Sequence, residues 1–213
     1  ILFSNQNFGN IISLISSINI KDIKKILIDR NHLIELDHSN NFSQKFKNII
    51  IKILIKFLYK KSDLVIGISK KLSEDLEMFC KTKVKTIYSP AYDRSIIERA
   101  KDKVKLNKNF NYVINVSRFT KRKDHFTTIN GFKLASDKIN NLKLILIGYG
   151  PEKYNIKDQI KKLKIQEKVI LLNEKTNVYA FIKNSDLLIL TSKYEGMANV
   201  LVEAITLNTP VIS

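Results

Sequence analysis

Tryptophan is absent from the 213 residues, and there are only one cysteine, three prolines and six glycines. A lone thiol, Cys80, cannot close an internal disulfide, so the fold has no covalent staple and a reducing cytoplasm is its natural compartment. The three histidines, His32, His38 and His125, have no second cysteine to join them, so no metal cluster is expected; His38 and His125 read as structural or solvent-facing. Acidic residues are also short, with 20 Asp and Glu against 37 Lys and Arg, a formal charge of +17. Most of the excess is Lys spread along the chain, which fits a bias toward solubility as well as a preference for anionic partners. Binding to nucleic acid would call for a clustered basic face interleaved with exposed aromatics, and no such motif occurs, so nucleic acid is not an expected partner.

Long hydrophobic runs are missing too. The longest, "NIIIKILIKFLYKK" (48–61), is too short and too often interrupted by Lys to span a bilayer. On a helix Lys45, Lys52, Lys56 and Lys60 fall on one stripe, and nearly everything else is apolar. Residues 45–61 thus fit peripheral contact with an anionic membrane, and they fit a crossover helix covering a parallel sheet. The crossover reading is favoured, because a sheet needs that pattern. The chain opens on Ile rather than Met, so its natural start is expected upstream and no targeting segment is read from it.

Hydrophobic residues at 44% and charged residues at 27% describe a globular chain with a real core. Short apolar runs alternate with helical patterns, the signature of βαβ units. Strands are expected near 1–3, 25–28, 63–69 and 85–88, with helices near 9–18, 44–60 and 70–79, the last capped by Ser69. Pro90 and a polar, basic stretch interrupt the rhythm. It resumes with strands near 112–117, 142–150, 168–172, 186–192 and 210–213, and helices near 125–137, 155–164, 178–184 and 198–207. The reading is α/β, with an N-terminal domain over 1–95, a linker over 96–111 and a doubly wound domain over 112–213.

Ligands of such domains gather at the carboxyl ends of the strands. There "SRFTKRKDH" places Arg118, Lys121, Arg122 and Lys123 together, suited to a diphosphate. The next strand ends in "GYGP", where Gly148 and Gly150 let backbone approach a ligand. Lys153 stands where a dinucleotide fingerprint would need its third glycine, which argues against an NAD-type site. Beyond the fourth strand, "YEGMANVLVEA" supplies Glu195, a tight turn at Gly196, and a helix from about Ala198 whose N-terminus attracts anions. Asn199 and Glu203 share a face of that helix, turned from the Val200, Ala204 and Leu207 face. Carboxylates accept hydroxyl protons while cations and a helix dipole hold phosphate, so the expected ligand carries both groups.

In order, "VSRFTKRK", "LIGYGP", "TSKYEGMANVLVEAI" and "LNTPVIS" resemble retaining glycosyltransferases of family 4, which have the two-domain GT-B architecture. "DLVIGISKKLSEDL" and "IYSP" resemble the later part of that family's acceptor domain. The resemblance implies two Rossmann-like domains, each partly represented, and a chain incomplete at both ends. It also implies that Arg118 and Lys123 neutralise the donor diphosphate in place of a metal, that Glu195 holds the donor sugar, and that Glu203 holds the ribose. Amides at Met197, Ala198, Asn199 and Val200 would touch sugar and phosphate, and backbone at Asn177 and Val178 would receive the base. His32, in "DRNH", is one of two seats for the family's sugar-contacting histidine; the other, "SNQN", has none. Ser117 replaces the usual Gly before Arg118, and Asn208 takes a turn where a small residue is common. The expected activity is metal-independent retaining transfer of a sugar from a UDP- or GDP-linked donor, with no other cofactor, to a glycan or lipid-linked acceptor at the cytoplasmic face. Two alternatives stay open: an inactive nucleotide-binding remnant, and a basic nucleic-acid-binding protein.

Overall fold

A computed structural model of the chain describes residues 1–37, 42–175 and 177–213. His38 therefore lies outside the described residues. Contacts divide the chain into two compact units, Ile1–Ser89 with Tyr194–Met197, and Pro90–Lys193 with Ala198–Ser213.

The first unit runs β1 (Leu2–Asn5), α1 (Asn7–Ser16), β2 (Lys25–Asp29), α2 (Phe42–Leu58), β3 (Leu64–Gly67), α3 (Lys70–Cys80) and β4 (Val84–Thr86). Its strands are parallel and lie in sequence order, the half of a doubly wound sheet on one side of a reversal. Leu27 sits opposite Ser4 and Val65 in the register, and with Val65 it joins Ile11, Leu14, Ile55, Leu72 and Leu76 in the core. Each such side chain, fully buried, contributes about 1.5–3 kcal/mol. Along α3 the core positions are Leu72, Leu76 and Cys80, one helical face at four-residue spacing. Ser69 caps this helix as expected, its hydroxyl accepting from the Leu72 amide at 3.4 Å, and Lys81 closes it in the left-handed region at φ 51°. Burial pushes the Cys80 thiol up to about 12, so it behaves as a small apolar group. In α2 the inward face holds Asn48, Ile55 and Leu58, and the Asn48 amide donates to the Leu36 carbonyl at 2.8 Å. This helix joins two parallel strands, which is the crossover role.

The second unit begins with α4 (Ser95–Arg99) and continues β5 (Asn111–Val116), α5 (His125–Ser136), β6 (Leu142–Ile147), α6 (Lys153–Lys162), β7 (Val169–Leu172), α7 (Tyr179–Lys183), β8 (Leu187–Ile189), α8 (Asn199–Thr206) and β9 (Val211–Ile212). All strands are parallel, in the order β7-β6-β5-β8-β9. The order reverses at β5, whose neighbours β6 and β8 leave it in opposite directions and open a crevice at their carboxyl ends. Alternate β6 residues serve opposite faces: Ile145 and Ile147 join one core with Ile114 and Leu188, while Leu144 and Leu146 join another with Ile129 and Phe132. Burial on both faces explains why these strands read as continuous apolar runs.

Residues 96–111, expected as a linker, instead group with the second unit. Ile96 and Ala100 are buried in its core, and the Asn107 amide donates to the Tyr112 hydroxyl at 3.0 Å. The helix there is only one turn, too short for its periodicity to stand out among polar residues.

Candidate active site

In the second unit the chain leaves β5 as Ser117–Arg118 and leaves β6 as Gly148–Tyr149. A cleft of about 150 Å³ is lined by Ser117, Arg118, Gly148, Tyr149, Lys175 and Val178, among others. Three residues singled out separately in the sequence, Arg118, Gly148 and Val178, thus meet at the reversal of strand order. The glycines are needed for backbone crossing rather than flexibility: a Cβ on Gly148 would lie 2.0 Å from the Ser117 carbonyl oxygen, and one on Gly150, at φ 147°, would lie 2.4 Å from that of Phe119. The Arg118 guanidinium lies over the Tyr149 ring at 5.4 Å, a cation–π contact that restrains it without spending its donors on a carboxylate. The Tyr149 contact was not anticipated, because the residue read only as the spacer of "GYGP".

Lys123 is half-buried in a short turn (Lys121–Lys123) that stays tied to the sheet. The Lys193 amide donates to the Arg122 carbonyl at 2.9 Å, and the Thr191 hydroxyl donates to the Asp124 carbonyl at 2.8 Å. Beneath the turn, His125 is buried, which overturns a solvent-facing position for it and keeps the structural one. Ser117 donates to Asn115 Oδ1 at 2.8 Å and meets His125 Nε2 at 3.0 Å. Since the Ser117 hydrogen points to Asn115, His125 carries its proton on Nε2 and donates to Ser117. Burial, helped by the charge of Lys123, lowers His125 to about 4 and keeps it neutral. The Gly-to-Ser departure at 117 therefore supplies a bond that only a hydroxyl can make.

Asn177 is held by two donations from its amide, to the Arg99 carbonyl at 2.7 Å and to Asp102 at 2.6 Å. Glu203, on α8, is half-buried. Burial raises its carboxyl above the usual range, and the positive charge of Arg99 pulls the other way. Arg99 also lies over the Tyr179 ring at 4.6 Å. Arg99 escaped the sequence reading because it sits in the stretch taken for a linker. Ala198 forms the extended N-cap of α8, so Asn199 and Val200 open the helix as expected. Asn208 adopts the left-handed conformation at φ 59°.

Glu195, Gly196 and Met197 belong to the first unit, so Glu195 and Glu203 fall in different units. Glu195 lines a 670 Å³ cavity of the first unit that also includes His32, Lys56, Lys71 and Asp75. His32 Nδ1 stands 3.2 Å from Asp75 Oδ2, and Lys71 pairs with the other oxygen of that carboxylate at 2.8 Å. Met197 packs on the first unit's core.

Residues 96–213 match the family model for Glycosyl transferases group 1. The chain belongs to this family. An uncharacterized glycosyltransferase of Methanocaldococcus jannaschii is 31% identical over 200 residues, covering 89% of this chain and 48% of that protein. An N-acetylgalactosaminyltransferase of Campylobacter jejuni, acting on a diphospho-undecaprenol-linked sugar by its name, is 30% identical over 171 residues, covering 78% of this chain and 45% of that protein. The crystal structure of Anabaena HepE in complex with UDP is similar in fold, with TM-score 0.74 at 19% identity, covering 99% of this chain and 58% of that one. The chain thus spans about half the length of the curated relatives it matches. Its parallel α/β units carry the GT-B fold class, each domain partly represented. Among the described residues no helix is long and apolar enough to cross a membrane.

Proposed function

We propose that this chain is the donor-binding part of a retaining, metal-independent glycosyltransferase of family 4, moving a sugar from a nucleotide diphosphate to a glycan or lipid-linked acceptor in cell-surface polysaccharide assembly at the cytoplasmic face. The observation that carries it is the cleft at the reversal of strand order, where Arg118, Gly148 and Val178 converge. HepE, solved with UDP and with UDP-glucose, supports a UDP-linked donor ahead of a GDP-linked one. The Campylobacter relative, with its diphospho-undecaprenol acceptor, supports a lipid-linked acceptor.

The roles are those the family resemblance implies, and the charge and hydrogen-bonding capacity of each residue suit them. Arg118 and Lys123 hold the diphosphate and stabilise the charge that grows on it as the glycosidic bond breaks, the work a metal ion does elsewhere. The helix N-terminus at Asn199 adds its dipole. Glu203 accepts from the ribose hydroxyls and Glu195 from the sugar hydroxyls, while His32, held by Asp75, donates to the sugar. Neither glutamate is assigned proton transfer; the departing phosphate takes the acceptor's proton on the face it leaves. With the full-length enzyme and a radiolabelled UDP-sugar, Glu195→Ala is expected to lower transfer by about 100-fold or more while leaving UDP binding intact. Transfer at the wild-type rate in that variant, or an inverted anomer in the product, would contradict the assignment.

A further inference from the structure

The outward face of α2 is apolar where a crossover helix is ordinarily polar. Phe42, Phe46, Ile49, Ile53 and Phe57 recur at spacings of four, three, four and four, one stripe of a helix. They lie opposite the inward face of Asn48, Ile55 and Leu58. Phe42 is 86% exposed, Phe46 62% and Phe57 63%. A stripe of this size on a globular protein marks a surface that meets something.

The charges beside it identify the occupant. From Phe42 to Lys61 the chain has no Asp or Glu, and Lys45, Lys47, Lys56, Lys60 and Lys61 are all exposed around the stripe. Lys52, half-buried on the same stripe as Lys45 and Lys56, pairs with Asp37 at 2.5 Å. A second copy seated on the same face would bring lysines against lysines on a chain already at +17, whereas an anionic surface neutralises them. Bulky apolar groups at the centre and ammonium groups along the flanks match the two layers of a lipid interface, acyl chains below and phosphates above. Lys56 also lines the 670 Å³ cavity that holds His32 and Glu195, so the stripe adjoins that cavity.

We propose that the outward face of α2 docks the protein on an anionic lipid bilayer, with Phe42, Phe46, Ile49, Ile53 and Phe57 entering the acyl boundary and the flanking lysines meeting lipid phosphates. This stands on the first unit alone and does not depend on the donor assignment. The test is sedimentation of the full-length protein with phosphatidylglycerol–phosphatidylcholine vesicles and with phosphatidylcholine vesicles. The expected result is binding to the first at least roughly tenfold tighter than to the second, weakened by salt. The paired substitution F46S and I53S is expected to reduce binding by roughly tenfold or more with an unchanged unfolding midpoint, because both side chains are exposed. K45E with K56E is expected to abolish the preference for phosphatidylglycerol without touching the apolar stripe. Equal binding to both vesicles, binding insensitive to both pairs, or a lower unfolding midpoint for F46S and I53S would overturn the proposal. So would a dimer that the first pair breaks while lipid is ignored.

Discussion

The two units share an architecture of parallel strands with helical crossovers, yet they differ in where polar chemistry collects. In the second unit the strand order reverses at β5, and the loops leaving β5 and β6 converge on one cleft beside Arg118. In the first unit the described strands run in sequence order, and polar groups gather around His32 in the loop after β2, Asp75 on α3 and the lysines of α2. A reversal opens a crevice from backbone alone, so the second unit's cleft follows from its sheet topology, whereas the first unit's cavity is lined by side chains from its loops and helices.

The difference extends to buried ionisable groups, and pH is the strongest way to test it. In the first unit Asp29 is buried at the end of β2, where the Asn10 amide reaches its Oδ1 at 3.3 Å. Burial raises Asp29 to about 7, opposed by a hydrogen bond from Tyr59. The folded unit therefore holds this proton more tightly than the unfolded chain does. Its stabilising effect is complete below the unfolded value of 3.8 and is lost as pH rises through about 7. The loss is on the order of 4 kcal/mol, and Asp29→Asn is expected to flatten it. Hydrogen exchange at the β2 and β3 amides across that range reads it directly.

His125 in the second unit gives the opposite slope. Its folded value near 4 lies below the ordinary 6.5, so its contribution is complete above 6.5 and is lost as pH falls toward 4. About 3 kcal/mol is expected from exchange at the β5 and β6 amides, and His125→Gln should remove most of the dependence. If both units weaken in the same direction, the contrast between them is wrong. A smaller effect separates two glycines of the second unit. Gly148→Ala forces a Cβ against the Ser117 carbonyl and should cost roughly 2 kcal/mol in urea unfolding, while Gly131→Ala, in α5 with nothing within 4 Å, should stabilise by up to about 1 kcal/mol.

Much of this was legible in the sequence for identifiable reasons. Buried parallel strands such as Leu142–Ile147 are apolar at nearly every position, so they stood out from their surroundings. Ser69 announced its helix, whereas the glycines of "GYGP" read as letting backbone approach a ligand, and the structure adds that they let it pass the Ser117 and Phe119 carbonyls. What was not legible depended on long-range contacts. Arg99 looked like a linker residue until Asn177, 78 positions away, was found bonded to its carbonyl. His125 read as structural or solvent-facing, and what decides between the two is its bond to Ser117, whose hydroxyl reaches Asn115. The outward stripe of α2 was visible as apolar content, but a linear pattern with apolar residues on two faces does not say which one the sheet covers.

The central claim is that the cleft beside Arg118 receives a nucleotide diphosphate. Isothermal titration of the full-length protein with UDP, beside Arg118→Ala and Lys81→Ala variants, tests it most directly. The account predicts binding that Arg118→Ala weakens by roughly tenfold or more and that Lys81→Ala, in the first unit, leaves unchanged. Equal affinity in the Arg118→Ala variant, or equal losses in both, would contradict it.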